Sequence, residues 1–294
     1  MSDPALPVAP ATAASPEATA IWNDVVAPKY VDFEAVLVSA AQAHSDQIWS
    51  SLDRLPHTRR IIDVGCGSGD TTRHLAEAHP AARVTGLDCS EPLLALARQR
   101  HGSVPNLEFV LEDAGRYRPE AQVDLCFSRI GLMFFERPVQ TLRWIRSWLR
   151  PKAILGAVVW QARERNPWLN LARDAVLEHV QPVDALAPSC GPGPFSMGDR
   201  ETTLAIFERA GFSDVRFTSL EAPVRIGDSP EAAARFQLAI GPAGEIMRHA
   251  TEANDPGIPA ARARVVELLA QARGDHADAG VVLPSASWWI EALA

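Results

Sequence analysis

The stretch IIDVGCGSGD, residues 61 to 70, sets Gly65, Gly67 and Gly69 directly behind a run of Ile, Val and Asp63. Glycine at the end of a stiff apolar strand gives up packing and costs backbone entropy, so it is expected where a bare backbone is needed. In an open α/β sheet such a loop lies at the carboxyl end of its strand, where ligands bind, and the helix behind it offers free N–H groups. A tight strand-to-helix turn without a ligand explains the glycines as well. Two further acids stand at later strand ends. Asp88 closes VTGLD about 20 residues after the loop, the distance at which a carboxylate reaches ribose hydroxyls in nucleotide-binding sheets; a simple turn aspartate is the alternative. Asp113 follows LEFVLE and can accept from an adenine amino group or form an Asx turn.

The spacing narrows the ligand. The dinucleotide fingerprint is G-x-G-x-x-G, whereas here the pattern is G-x-G-x-G and Asp70 takes the third glycine's place. A carboxylate there repels a pyrophosphate. The G-K-[ST] of a phosphate loop is missing too. A net charge of −8 without a lysine or arginine cluster argues against a nucleic-acid partner. The cysteines Cys66, Cys89, Cys126 and Cys190 form no C-x-x-C pair, so neither a zinc site nor a disulfide framework is expected. The reading is a reduced, cytoplasmic protein without metal or membrane span, and with a homo-oligomer left open.

Of the eight histidines, topology removes several as a general base. His57 precedes the first strand, His79 and His101 close helices that run back to the far end of the sheet, and His74 lies within the first crossover helix. His44, His179, His249 and His276 lie outside the strand-loop core, where surface positions are expected; His179 and His249 stay as catalytic candidates. Arg129, in SRIG after the fourth strand, is the third. It can orient a carboxylate or an anionic acceptor, or pair with Glu136.

These residues need a sheet to position them. After a tail (1–17) read as disordered and a helical segment (18–54) divided at Pro28, strands and helices alternate: RIIDV (60–64), RVTGLD (83–88), LEFVLED (107–113), VDLCFSR (123–129) and AILGAVVWQ (153–161) are strands with helices between most of them. That alternation predicts an α/β fold with a parallel sheet covered on both faces. The core is placed at 55–228 and closes with DVRFTSLEAPV (214–224). Ala-rich helices form an insertion over 229–286, and a closing strand occupies 287–294.

DVGCGSGD (63–70), with Asp88 and Asp113-Ala114, resembles the first motifs of the class I S-adenosylmethionine-dependent methyltransferases. FSRIGLMFFERP, VVWQARERNPW, GPGPFSMGD and AGFSDVRF are similar to the ubiquinone/menaquinone-biosynthesis group among them. The resemblance implies a Rossmann-like seven-stranded sheet in the order 3-2-1-4-5-7-6, its last strand antiparallel; the helical segment 18–54 is read as an N-terminal lid on it. It also implies S-adenosylmethionine as cofactor, held by Asp63, Gly65, Cys66, Gly67, Gly69, Asp88, Cys89, Asp113 and Ala114. Ser128 can hydrogen-bond the cofactor or cap its strand end, and Tyr30, with Trp22, can fold over the cofactor or anchor the leading helices to the body. Trp22, Arg129, Phe134, Phe135, Trp160, Trp168 and Phe195 fall where a hydrophobic or aromatic small-molecule acceptor would lie, and core packing accounts for some of them equally. The implied reaction is methyl transfer to oxygen or carbon. Alternatives are a non-catalytic nucleoside-binding module or, less well supported because of Asp70, an NAD-dependent dehydrogenase.

Overall fold

The computed structural model describes residues 10–11, 15, 19–53, 55, 58–181, 192–273 and 280–294. His57, Cys190 and His276 lie outside them. Strands β1 (Arg60–Val64), β2 (Arg83–Asp88), β3 (Leu107–Leu111), β4 (Val123–Arg129), β5 (Leu149–Trp160), β6 (Ser213–Gly227) and β7 (Val281–Leu293) form one sheet in the order β3-β2-β1-β4-β5-β7-β6. The first five strands pair in parallel, and β7 runs antiparallel to both β5 and β6. The expected order and the inverted strand are both present. They place the ends of β1 and β4 side by side, where the strand order reverses and ligands of such sheets bind.

Alternation along the strands divides the core. Ile61, Val84, Leu125 and Phe127 are buried on one face against Leu75 of helix α4 (Asp70–Ala78). Ile62, Val64, Leu87 and Cys126 are buried on the other against Leu142 and Ile145 of α6 (Pro138–Trp148). Between them in sequence, α5 (Glu91–His101) follows β2. Side chains of successive strand residues point to opposite faces, so a run such as IIDV must be covered on both.

The closing strand begins at Val281, six residues before the expected 287. Ser287 pairs with Trp160 at the end of β5, so the preceding part of β7 projects beyond β5 and pairs with β6 alone. Pro284 and the serines at 285 and 287 interrupt the apolar pattern there, which hides the strand from periodicity. The helical insertion is correspondingly shorter: Pro230–Gln237, Gly241–Glu252 and Ile258–Arg273.

At the N-terminal side a π-helical segment (Ile21–Val26) runs straight into α1 (Ala27–Asp32), with Pro28 in its first turn where a missing N–H is tolerated. The break expected at Pro28 falls instead at Phe33, before α2 (Glu34–Ser45), which the single turn α3 (Trp49–Leu52) follows. Part of the tail is also placed, since Ser15 donates from its N–H and hydroxyl to Glu136 at 3.0 and 2.9 Å.

The last turn of α2 corrects another expectation. His44 is fully buried rather than on the surface. Its Nε2 lies 2.7 Å from Ser285 Oγ and its Nδ1 2.9 Å from Ser287 Oγ. Ser285 donates its own proton to the Ala222 carbonyl at 2.7 Å. It must therefore accept from Nε2–H, which leaves Nδ1 as the acceptor of a neutral ring. Burial holds the His44 pKa down at about 4 against an ordinary 6.5. The unfolded chain takes up this proton first, so the stability is complete above pH 6.5 and is lost as the pH falls toward 4. The expected loss is about 3 kcal/mol. Urea unfolding of wild type and His44→Gln at neutral and acid pH checks it: the difference between the two should shrink on acidification. A constant difference contradicts the assignment.

Candidate functional site

The glycine loop leaves β1 with Gly65, Gly67 and Gly69 at φ of 70°, 54° and 85°, a left-handed run that side chains rarely adopt. The reasons differ along it. A Cβ at Gly69 would lie 2.6 Å from Phe109 Cζ, whereas one at Gly67 would meet nothing within 4 Å. Gly69 is thus required by packing, and Gly67 presents bare backbone to open space.

Two carboxylates hold this loop. Asp88, half-buried at the end of β2, accepts from Gly67 N–H at 2.8 Å and from Ser90 N–H at 2.9 Å. Burial raises its pKa against the pull of those N–H groups. Asp63 is fully buried on β1, where its Oδ2 accepts from the Thr71 and Thr72 hydroxyls at 2.5 and 2.7 Å. Its Oδ1 is buried with no hydrogen-bond partner. Burial pushes the Asp63 pKa up to about 6, outweighing both threonine bonds and the attraction of Arg129. A buried acceptor left unpaired costs free energy, so a missing donor is the natural complement.

The other expected cofactor residues surround the loop. Asp113 follows β3 and its Oδ1 accepts from Gly115 N–H at 2.8 Å, the Asx-type turn of the alternative reading, with Ala114 buried beside it. The half-buried Cys89 thiol is pushed up to about 12, by burial first and then by Asp88 and Asp113. Cys66 is buried, which raises its thiol pKa well above the ordinary range, with Asp88 and Asp63 adding to the effect. Neither thiol is a nucleophile in this state. Ser128 is fully buried and donates to the Val64 carbonyl at 2.7 Å, so its hydroxyl joins β4 to β1. Tyr30 of α1 reaches across the loop, its hydroxyl 3.4 Å from Ser68 Oγ, which donates to Asp70 at 3.0 Å.

Beyond β4, a 3₁₀ turn (Leu132–Phe134) brings Phe134 edge-on to Trp22, with ring centroids 4.8 Å apart. Gly193 N–H and the Ser196 hydroxyl both bond the Met133 carbonyl, which docks the turn carrying Phe195 onto the same segment. Trp22, Phe134, Phe135 and Phe195 are all half-buried there. Trp160 and Trp168 are placed differently. They are 3% and 1% exposed and belong to the core: Trp160 meets His44 and Trp168 edge-on, and Trp168 stacks on Phe236.

Arg129 lies with its Nη1 3.5 Å from Ser45 Oγ at the end of α2, and its expected alternative partner Glu136 is bonded by Ser15 instead. His179 is exposed, and His249 is tied to Glu245 at 3.0 Å within a helical ion cluster with Arg248 and Glu252. Neither has a bond to the loop. His101 also departs from expectation: it stands 3.4 Å from Asp70 Oδ1, at the start of α4. Helix α5 crosses over that helix start, as the close approach of Ala97 to Gly69 shows.

Sequence reading missed the supports of the site. Thr71 and Thr72 directly follow the loop, and a hydroxyl pair behind an unpaired buried acid is a signal it could have used. Ser45 and His44 gave none, because their partners lie on strands far away in the chain.

The strand order, the glycine loop and the acids at or just beyond the ends of β1, β2 and β3 define a Rossmann-like core with its ligand crevice at the β1/β4 switch point. Residues 61–152 match the family described as "Methyltransferase domain". The chain is 31% identical over 107 residues to a malonyl-[acyl-carrier protein] O-methyltransferase of Halalkalibacterium halodurans, covering 35% of this chain and 40% of that one. It is 31% identical over 137 residues to a trans-aconitate 2-methyltransferase of Escherichia coli, covering 47% and 53%. The chain thus spans about half the length of the curated relatives it matches. The YcgJ protein of Bacillus subtilis shares the fold, with a TM-score of 0.53, 14% identity, and coverage of 86% of this chain and 97% of that one. Among the described residues no helix is long and apolar enough to cross a membrane, and no cluster of three or more His, Cys, Asp or Glu could hold a metal.

Proposed function

We propose that this protein is an S-adenosylmethionine-dependent methyltransferase acting on oxygen or carbon of a hydrophobic or aromatic small molecule. The observation that carries the reading is the unpaired, buried Asp63 Oδ1 behind a loop whose Gly67 faces open space. An ammonium group supplies the donor that oxygen lacks, and a bare backbone admits the body of a ligand. The residues present fit an adenosyl amino acid. Asp63 takes the amino group, Gly65 to Gly69 the chain beside it, Asp88 the ribose, and Asp113, Ala114 and Cys89 the base.

The cofactor supplies a methyl group activated on a sulfonium, so the protein's main task is to align the acceptor, and orientation alone can provide much of the rate. Trp22, Phe134, Phe135 and Phe195 form an apolar wall at the ligand end of the sheet, suited to a small organic acceptor. Tyr30 covers the loop and restricts water. Arg129 orients a carboxylate, of the cofactor or of an anionic acceptor. The relatives' names include an O-methyltransferase, which is in keeping with oxygen as a target. The free thiols Cys66, Cys89 and Cys126 fit a reducing compartment such as the cytoplasm.

Labelled methyl transfer to a panel of aromatic and aliphatic acids, phenols and a cell extract tests the reaction. Label recovered in a small molecule supports it; tight cofactor binding without transfer to any of them favours a non-catalytic module. A second expectation concerns Gly67. Gly67→Ala should cost only about 1 kcal/mol of stability, the penalty of a left-handed alanine, yet weaken S-adenosylhomocysteine binding at least tenfold by filling the ligand's space. Calorimetry beside thermal unfolding separates the two effects.

A further inference from the structure

Glycine supplies the left-handed conformation at three positions of the loop, but directly across the crevice the chain uses isoleucine. Ile130 has a φ of 65°, and among the described residues it is the only β-branched one with positive φ. For such a side chain this is a sterically costly conformation, which persists only where the surroundings enforce it. The enforcing contacts are visible. Its N–H still bonds the Val158 carbonyl at 2.8 Å, as if β4 continued, and its side chain packs against the hydrophobic clusters on both faces of the sheet. Immediately after it the chain turns back over β1. Gly131 then meets Gly65 backbone to backbone: a Cβ on Gly131 would lie 2.9 Å from the Val64 carbonyl oxygen and 3.3 Å from Gly65 Cα. On the other side of the strained residue stands Arg129, whose charge reaches both Asp63 and Tyr30 and whose Nη1 approaches Ser45.

We infer that Ile130 is a positioning residue: its strained turn, clamped between the two cores, holds Arg129 and the Gly131–Gly65 contact on either side of the crevice. This rests on the reading of the crevice as an S-adenosylmethionine site. Glycine at 130 would adopt the same φ without strain but also leave it freely, so the site should stay folded and lose its preorganisation. A residue that served packing alone would act independently of Arg129.

A double-mutant cycle with S-adenosylhomocysteine as probe separates these cases. Ile130→Gly and Arg129→Ala are each expected to raise the dissociation constant about tenfold, and the double variant about tenfold as well, because the first already releases the guanidinium. An about hundredfold loss in the double variant, or wild-type affinity in Ile130→Gly, overturns the inference. Stability gives a second arm that needs no ligand. Since alanine keeps the strain that glycine relieves, Ile130→Gly should melt no lower than Ile130→Ala; a clearly lower melting temperature shows that the turn is not strained. Failure of the wild type to bind the probe would instead overturn the cofactor reading, leaving the stability arm to judge Ile130.

Discussion

Replacing Asp88 by alanine should raise the dissociation constant of S-adenosylhomocysteine about a hundredfold while the protein stays folded. Two effects combine. The carboxylate accepts from Gly67 and Ser90 N–H groups, so its removal frees the segment of loop that faces open space. It also removes the acceptor proposed for the ribose. Hydrogen bonds to a charged group contribute roughly 1.5–3 kcal/mol each, and a hundredfold corresponds to about 2.7 kcal/mol. Asp88→Asn keeps one acceptor oxygen and should fall between the two. Calorimetric titration with circular dichroism as a folding control measures this; a change under threefold in Asp88→Ala would show that the loop needs no clasp.

Asp63→Asn should move binding and stability in opposite directions. The folded-state pKa of Asp63 is raised to about 6 from an ordinary 3.8, so the folded protein binds this proton more tightly than the unfolded chain. Its contribution to stability therefore grows as the pH falls from about 6 toward 3.8, and at neutral pH the ionised form is a net cost. Asparagine keeps an acceptor for Thr71 and Thr72 and removes the charge, so stability at pH 7 should rise by about 1 kcal/mol, less than full relief because its amide must replace an unpaired oxygen. Binding of the cationic cofactor should weaken at least tenfold. In wild type the same affinity should decline as the pH drops below about 6 and Asp63 protonates. Denaturation and titration across that range test both; a variant that is less stable and binds normally would remove Asp63 from the site.

Sequence made the loop legible because glycines behind a buried strand leave few explanations, and because acids at strand ends follow from strand boundaries alone. The sheet order came from resemblance rather than from periodicity, which cannot report which strands are neighbours. What stayed hidden were long-range pairings. The first half of β7 looked like insertion because its serines serve His44, not solvent. His44 itself looked like a surface residue, since polarity predicts exposure unless the partners are known. Trp160 and Trp168 illustrate the converse: an aromatic residue near the ligand end can turn into the core instead, and only the packing against Phe236 and His44 decides it. The tilt of α5 that brings His101 to Asp70 is likewise a packing outcome with no local signal.

The proposed activity turns on one contact, that of an adenosyl amino acid with the loop around Gly67. Calorimetric titration of the wild type with S-adenosylmethionine and S-adenosylhomocysteine is the direct measurement, repeated on Gly67→Ala and Asp88→Ala. The predicted result is saturable binding of both compounds to the wild type, sharply weakened in each variant. No binding at millimolar concentration, or binding that both variants retain unchanged, would contradict it.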